Sequence, residues 1–347
     1  VNKLRKAEQI LMNHKLLNPR LKPVYLKNSV FFPLSEIPSS RIKSLIEKLN
    51  GRIEKVDEKF FPRKKRSLSL KELEKRHKIV FPKSVSLIGD ILLINEIPEE
   101  AVAKRNLIGE ILRENFAVRA VFLKVKEISG ETRVAQWERI AGFGGTFTVH
   151  KENNYYYALD ISKVFFNPRM GSERARIIKL CRRQEMIIDM FSGVGPFAIP
   201  IAAKCAVVYA IDINKHAIDY LLLNAEINNV SKKKIIAIHG DSRTEVPKIN
   251  VKVDRIIMNY PERAISFLDV AISALKKEGG FIHLYFFLRE RNKKTAIESS
   301  RKLLEEILKD YTIEFEIRKI IIVREVAPRK YLLVADMFVK RRYDLTE

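Results

Sequence analysis

Cysteine is scarce, no long apolar run occurs, and the histidines are scattered; each shortage closes a class of answer. Two cysteines, Cys181 and Cys205, are too few for a disulfide framework or for a zinc site built of thiolates. Cys205 stands in the apolar stretch AAKCAVV, which predicts a buried structural thiol; so little cysteine fits a reducing, cytoplasmic setting. No run of about 18 apolar residues is present, so no membrane-spanning helix is expected. The opening VNKLRKAEQILMNHK is charged and lacks the apolar core of a signal peptide. None of the six histidines falls at metal-ligand spacing, so no metal site is expected.

Acids are also outnumbered. The 347 residues hold 42 Asp plus Glu against 65 Lys plus Arg, a formal net charge of +23. Such an excess suits a polyanionic partner, because each phosphate contact releases condensed counterions. A lysine-rich surface with no partner is the plainer alternative. Apolar residues make up 46% of the chain, enough for packed cores rather than general disorder.

Three regions follow along the chain. Residues 1–78 are the most basic and read as a small α+β module: an amphipathic helical start (Leu4, Ala7, Ile10, Leu11), a strand NSVFFPL, a helix SRIKSLIEKLN, and a strand GRIEKVDEKFF. Its last part, PRKKRSLSLKELEKRHK, reads as a linker with a basic cluster at Lys64, Lys65 and Arg66. Residues 79–166 are strand-rich, with a hairpin-like pair in VSLIGDILLINEI and a helix in EEAVAKRNLIGEILREN. Residues 167–347 alternate strand and helix, the pattern of a doubly wound, mostly parallel sheet. The last two strands, joined by REVAPRK, predict an antiparallel hairpin at one edge.

Within the third region, IIDMFSGVGPFA places Gly193, Gly195 and Ala198 at the spacing G-x-G-x-x-A. In a first strand–loop–helix unit this bares the backbone to a nucleotide cofactor. Asp212 ends the next strand, about 20 residues on, where an acid grips ribose hydroxyls. NAD fits to this point. Pro196, however, removes an N–H that a pyrophosphate would want at the helix start. Asp189 precedes the loop, a poor neighbour for pyrophosphate but a good one for a sulfonium. Asp241 ends the third strand in IHGDS, placed to accept from an adenine amine. Asn259-Tyr260-Pro261 closes the fourth. Each alone is an ordinary turn or cap residue. Together, at successive strand ends, they fit S-adenosylmethionine, with Phe191 and Ile213 completing the candidate cofactor set.

With these residues assembled, the chain resembles the class I S-adenosylmethionine-dependent methyltransferases, and more narrowly the archaeal-type tRNA (guanine-37-N1) methyltransferase family. The segments FFNPRMGSERARI, IIDMFSGVGPF, VYAIDIN, RIIMNYP, GGFIHLY and APRKYLLVAD follow the family's order, and RVAQWERIAG resembles its upstream segment. The resemblance implies a Rossmann-like class I methyltransferase domain (167–347), preceded by a strand-rich α+β, RNA-facing domain (79–166) and a small basic module (1–78) that contacts the outer corner of tRNA. It implies methylation of N1 of guanosine 37 by a monomer. Methylation of a tricyclic wyosine precursor, or aminocarboxypropyl transfer from the same cofactor, stays open. Tyr260 stands where the family commonly has leucine, and MGS precedes the glutamate; both leave the reacting groups in place.

Guanine N1 carries a proton, so its methylation needs a base, a stabiliser for charge on O6 and an aligned methyl. By motif matching, Glu173 is the expected base, Arg133 the O6 stabiliser, and Asn259 holds the target base or the carboxylate. Read by position alone, Glu173 is a helix-start acid, Arg133 an exposed strand arginine and Asn259 a turn residue. Candidate RNA contacts are Arg169, Tyr260, Pro328, Arg329 and Lys330. Phe165 and Phe166 are either stacking residues or core. His150 and His283 are expected to be structural.

Overall fold

Apolar residues at helical or alternating spacing set the elements of the first of two units, Val1–Arg169. The structure, a computed structural model, describes residues 67–129, 134–204 and 206–342, with shorter stretches among residues 7–53. Strands β1 (Val24–Leu26) and β2 (Ser29–Phe31) pair antiparallel. Nearby in sequence, the helix Ser40–Glu47 turns Ile42 and Ile46 onto Leu11 and Leu16. The expected strand GRIEKVDEKFF falls mostly outside the described residues, as do Leu4 and Ile10 of the amphipathic start.

The stretch read as a linker is corrected by the helix Leu70–His77 inside it. Ser69 and Glu72 form a reciprocal capping box there, and Leu73 is buried in the next core. That S-x-x-E signature was present in the sequence; the flanking lysines and arginines masked it. Strands β3 (Val85–Ile88) and β4 (Ile91–Ile94) form the expected hairpin. The helix Arg105–Phe116 then crosses to β5 (Ala120–Ser129), parallel to β4 and antiparallel to β6 (Val134–Gly142). A second hairpin joins β7 (Phe147–Glu152) to β8 (Tyr155–Asp160). Its two turn residues, Asn153 and Asn154, both have positive φ, as a two-residue turn matched to strand twist requires. Arg119, 1% exposed, forks Asp90 and donates to the carbonyls of Phe143, Gly145 and Phe147, which ties the β6–β7 connection to the sheet.

The second unit, Met170–Glu347, holds one seven-stranded sheet. Its strands are β9 (Met186–Asp189), β10 (Val207–Asp212), β11 (Ile235–His239), β12 (Arg255–Met258), β13 (Gly280–Arg289), β14 (Ile313–Ala327) and β15 (Lys330–Arg341), in the order β11-β10-β9-β12-β13-β15-β14. The first five are parallel, and β15 runs antiparallel to both neighbours. β9 and β12 are almost wholly buried, which explains why they read as unbroken apolar runs: a parallel strand is covered on both faces. The expected edge hairpin is present. Pro328 and Arg329 form its turn, with Arg329 at φ 60°, an uncommon conformation for a residue with a side chain. This is the Rossmann-like fold of the class I methyltransferases.

Candidate functional site

Sheet order places the site. Strand order reverses between β9 and β12, and in open α/β sheets the crevice at the carboxyl ends beside such a switch is where ligands bind. Asp189 ends β9, Asp212 ends β10, Asp241 follows β11 and Asn259 follows β12. The register pairs Ala210 and Ile257 with Asp189, so these residues lie along one edge.

The loop after β9 is held from within. Its Gly193 N–H donates to Asp212 Oδ2 at 2.7 Å, and the Asn214 N–H donates to Oδ1 at 2.8 Å. Asp212 thereby ties the glycine loop and the turn after β10 to one carboxylate. Gly193 and Gly195 adopt φ 53° and 89°. A Cβ on Gly195 would lie 2.7 Å from Ile199 Cδ1 and 3.3 Å from Leu221 Cγ. This glycine therefore serves helix packing, a requirement that the sequence spacing alone did not show. Of the nine candidate cofactor positions, Asp189 and Gly195 are buried. Phe191, Gly193, Pro196, Asp212, Ile213, Asp241 and Asn259 all keep partly exposed surface.

Asp189 is 0% exposed, and neither of its oxygens has a hydrogen-bond partner; the buried Ser192 hydroxyl has none either. Burial pushes the Asp189 carboxyl up to about 7. The Phe191 amide works against the rise without reaching hydrogen-bond geometry, Asp212's charge adds to it, and Arg174 opposes it. A buried polar group without a partner costs roughly 1–3 kcal/mol, and an uncompensated acid beneath the loop favours a cationic ligand above it. Both features fit a sulfonium cofactor. Asp241 caps the helix Ser242–Glu245 through Oδ1, which accepts from Arg243 N–H at 2.8 Å. Phe191 packs against Tyr260 at 5.2 Å and edge-on against Phe267 at 5.1 Å. Together they make an aromatic wall beside Asn259.

Glu173, on the helix Gly171–Leu180, is 6% exposed and far from isolated. Arg176 forks it, Nε to Oε2 and Nη2 to Oε1, both at 2.8 Å, and the Tyr285 hydroxyl donates to Oε1 at 2.7 Å. The same guanidinium reaches Asp336 at 2.6 and 3.1 Å. Asp336 accepts from His283 Nδ1 at 2.6 Å, and Arg255 Nη1 lies 2.7 Å from His283 Nε2. Arginine can only donate, so Nε2 is the acceptor and Nδ1 carries the proton. Burial lowers the His283 pKa, consistent with that neutral ring. Burial works against charge on Asp336, but the bonds from His283 and Arg176 overcome it and hold the carboxyl at about 2. Arg255 ends the chain by forking Glu185 at 2.9 and 3.0 Å. Sequence reading missed Arg176, Tyr285 and Asp336. Only Arg176, three residues after Glu173, left a readable signal.

The other expected positions divide between the units. Arg133 and Cys205 lie outside the described residues. Arg169, in the first unit, is exposed and donates to the Val85 carbonyl at 2.8 Å. Phe166 is core, against His150 and Tyr157, while Phe165 is 38% exposed. His150 accepts from Gly89 N–H, a structural role. Arg329 is exposed at the hairpin tip, and Lys330 Nζ sits 4.6 Å from the Phe287 ring centroid. Among the described residues no cluster could hold a metal ion, and no helix is long and apolar enough to cross a membrane.

Comparison with known proteins decides the family. The TRM5/TYW2 methyltransferase domain matches residues 148–316, and the TYW2 N-terminal domain matches residues 65–145. A tRNA (guanine(37)-N(1))-methyltransferase Trm5b from Methanocaldococcus jannaschii is 35% identical over 97% of this chain and 96% of its own. This chain belongs to the TRM5/TYW2 methyltransferase family. The solved complex of aTrm5 with tRNALeu superposes with a TM-score of 0.68 at 33% identity, over 96% of each chain. The Methanocaldococcus jannaschii Trm5 structure in complex with adenosine gives 0.65 at 32% identity, over 99% of this chain and 98% of that one. A tRNA 4-demethylwyosine(37)-methyltransferase Taw21 from Saccharolobus solfataricus is 33% identical over 74% of this chain and 93% of its own. The family is S-adenosylmethionine-dependent, which agrees with the acidic strand ends and the sealed Asp189.

Proposed function

We propose that this enzyme methylates N1 of guanosine 37 in tRNA, next to the anticodon. The observation that carries this is the constellation at the carboxyl edge of the sheet, Asp189, Asp212, Asp241 and Asn259, with Glu173 in the same unit. It occurs in a chain that matches a tRNA (guanine(37)-N(1))-methyltransferase over nearly its whole length.

S-adenosylmethionine supplies an electrophilic methyl group when bound. Asp212 would take the ribose hydroxyls, Asp241 the adenine amine, and Phe191, Gly193, Pro196 and Ile213 the surrounding contacts. Gly195 shapes the loop from beneath, and Asp189 balances the cationic sulfur. Glu173 accepts the N1 proton, Arg133 stabilises charge on O6, and Asn259 orients the base. A base in a loop must be splayed out to reach such a pocket, and Tyr260 would stack on it. Arg169, Pro328, Arg329 and Lys330 contact the RNA backbone. The basic residues 1–78 grip the outer corner of the tRNA, residues 79–166 face the RNA and residues 167–347 carry the chemistry, all in one monomeric chain. Remote contacts then position the substrate while the pocket reads the base.

The test is labelled-methyl transfer to an unmodified transcript with guanosine at position 37, beside a copy with adenosine there, with product nucleosides read by mass. One added methyl on guanosine alone supports the proposal. Transfer to neither, with cofactor bound, redirects it to a tricyclic wyosine precursor or to aminocarboxypropyl transfer.

A further inference from the structure

The Glu173 carboxylate has about four acceptor sites, and three are taken. Oε1 accepts from both Arg176 Nη2 and the Tyr285 hydroxyl, and Oε2 accepts from Arg176 Nε alone. One acceptor site remains, on Oε2. Arg176, meanwhile, divides its charge between two carboxylates. Asp336 is itself fixed by neutral His283, which Arg255 holds, and Arg255 is neutralised by Glu185. These groups come from the helix Gly171–Leu180, the segment before β9, and strands β12, β13 and β15. Among the described residues, they are the titratable and charged side chains that this hydrogen-bonded network links to Glu173.

We propose that Arg176 is a positioning residue for the base: it fixes the Glu173 carboxylate so that Oε2 is the open acceptor, and Asp336 holds the other side of the same guanidinium in place. The idea rests on Glu173 being the base. In the step it serves, the guanine N1–H bond breaks and the proton bonds to Oε2. The electron pair left on N1 forms the bond to the methyl carbon, and the electrons of the broken carbon–sulfur bond stay with sulfur. Tyr285 adds a neutral donor to Oε1, which leaves Oε2 as the oxygen open to the substrate, and its own pKa is pushed well up by burial, then by Glu173.

Single-turnover methyl transfer to the guanosine-37 transcript tests this with the full chain and saturating cofactor and tRNA. Arg176→Met should lower the transfer rate by roughly tenfold or more, while cofactor affinity, tRNA affinity and melting temperature stay near those of the parent. Arg176→Lys keeps the charge but loses the fork, and should recover only part of the rate; it also stands in if the methionine variant melts early. Asp336→Asn leaves the fork on Glu173 and should lower the rate less than Arg176→Met. A purely structural network would lower cofactor affinity and melting temperature together with the rate in every variant, and that result overturns the proposal. A near-parental rate for Arg176→Met overturns it too. Glu173→Gln separates the two ideas. Full activity there removes the base assignment itself, whereas loss of activity there beside a near-parental rate for Arg176→Met removes only the role of Arg176 and Asp336.

Discussion

The hydroxyl of Tyr285 donates to Glu173 Oε1 at 2.7 Å across 112 residues of sequence. Both groups are buried, so neither has bulk water to fall back on. A buried charge is tolerated only when it is paired and hydrogen-bonded, and Arg176 completes that requirement. The carboxylate is thereby held in one orientation before any substrate arrives.

Glu173→Gln and Arg133→Ala should each cut methyl transfer by about 10²-fold or more, as expected for a lost base or charge stabiliser. Cofactor affinity should change less than about threefold, since neither is assigned to its binding. Single-turnover rates beside equilibrium cofactor titration check both halves, and a near-normal rate in either variant removes that residue's role.

Asp189 makes the cofactor-free protein sensitive to pH. Its folded pKa, about 7, lies above the ordinary 3.8, so its contribution is favourable below about 4 and is lost as pH rises through 7. The full rise corresponds to about 4 kcal/mol. Asp189→Asn should therefore gain stability relative to the parent as pH rises through this window, measured by denaturant unfolding. Stability differences independent of pH would show that the carboxyl is already ionised.

The same residue should couple cofactor binding to protons. A sulfonium favours the ionised carboxylate, so binding near pH 7 should release a fraction of a proton. Calorimetry in buffers of different ionisation enthalpy reads that number directly. Asp189→Asn should abolish the release; its survival there would place the titrating group elsewhere.

Gly195→Ala should destabilise the second unit by roughly 1–3 kcal/mol, because φ 89° is strained for alanine and the new methyl meets Ile199 and Leu221. A melting temperature unchanged from the parent would show that the loop relaxes without cost.

Arg329→Ala at the hairpin tip should weaken tRNA binding uniformly across tRNA sequences and reduce the magnitude of the salt slope by about 1, as for one lost phosphate contact. Cofactor affinity should not change. An unaltered salt slope would remove Arg329 from the RNA interface.

Much of the second unit was legible beforehand. The expected alternation of strand and helix and the edge hairpin are present, because a parallel strand buried on both faces announces itself as a short apolar run and glycine, proline and acids mark the strand ends. The helix Leu70–His77 is equally readable through Ser69 and Glu72, although the basic residues around it have the composition of a linker. Gly195 carries a packing requirement that its spacing does not show, because only the packed helices bring Ile199 and Leu221 near.

Local chemistry, then, is what the sequence alone determined: strand and helix periods, turn residues, the acids at successive strand ends and the basic surplus, each set within a few residues. Tertiary structure decided the state of the groups that react. Asp336 meets His283 because β13 and β15 pair in that register, and Arg176 reaches Asp336 across 160 residues. A shift of one residue would turn each side chain to the opposite face of the sheet. Whether a carboxylate is a free base, a paired anion like Glu173 or a sealed acid like Asp189 depends on burial and on partners far along the chain, and those exist only once the sheet has closed around them.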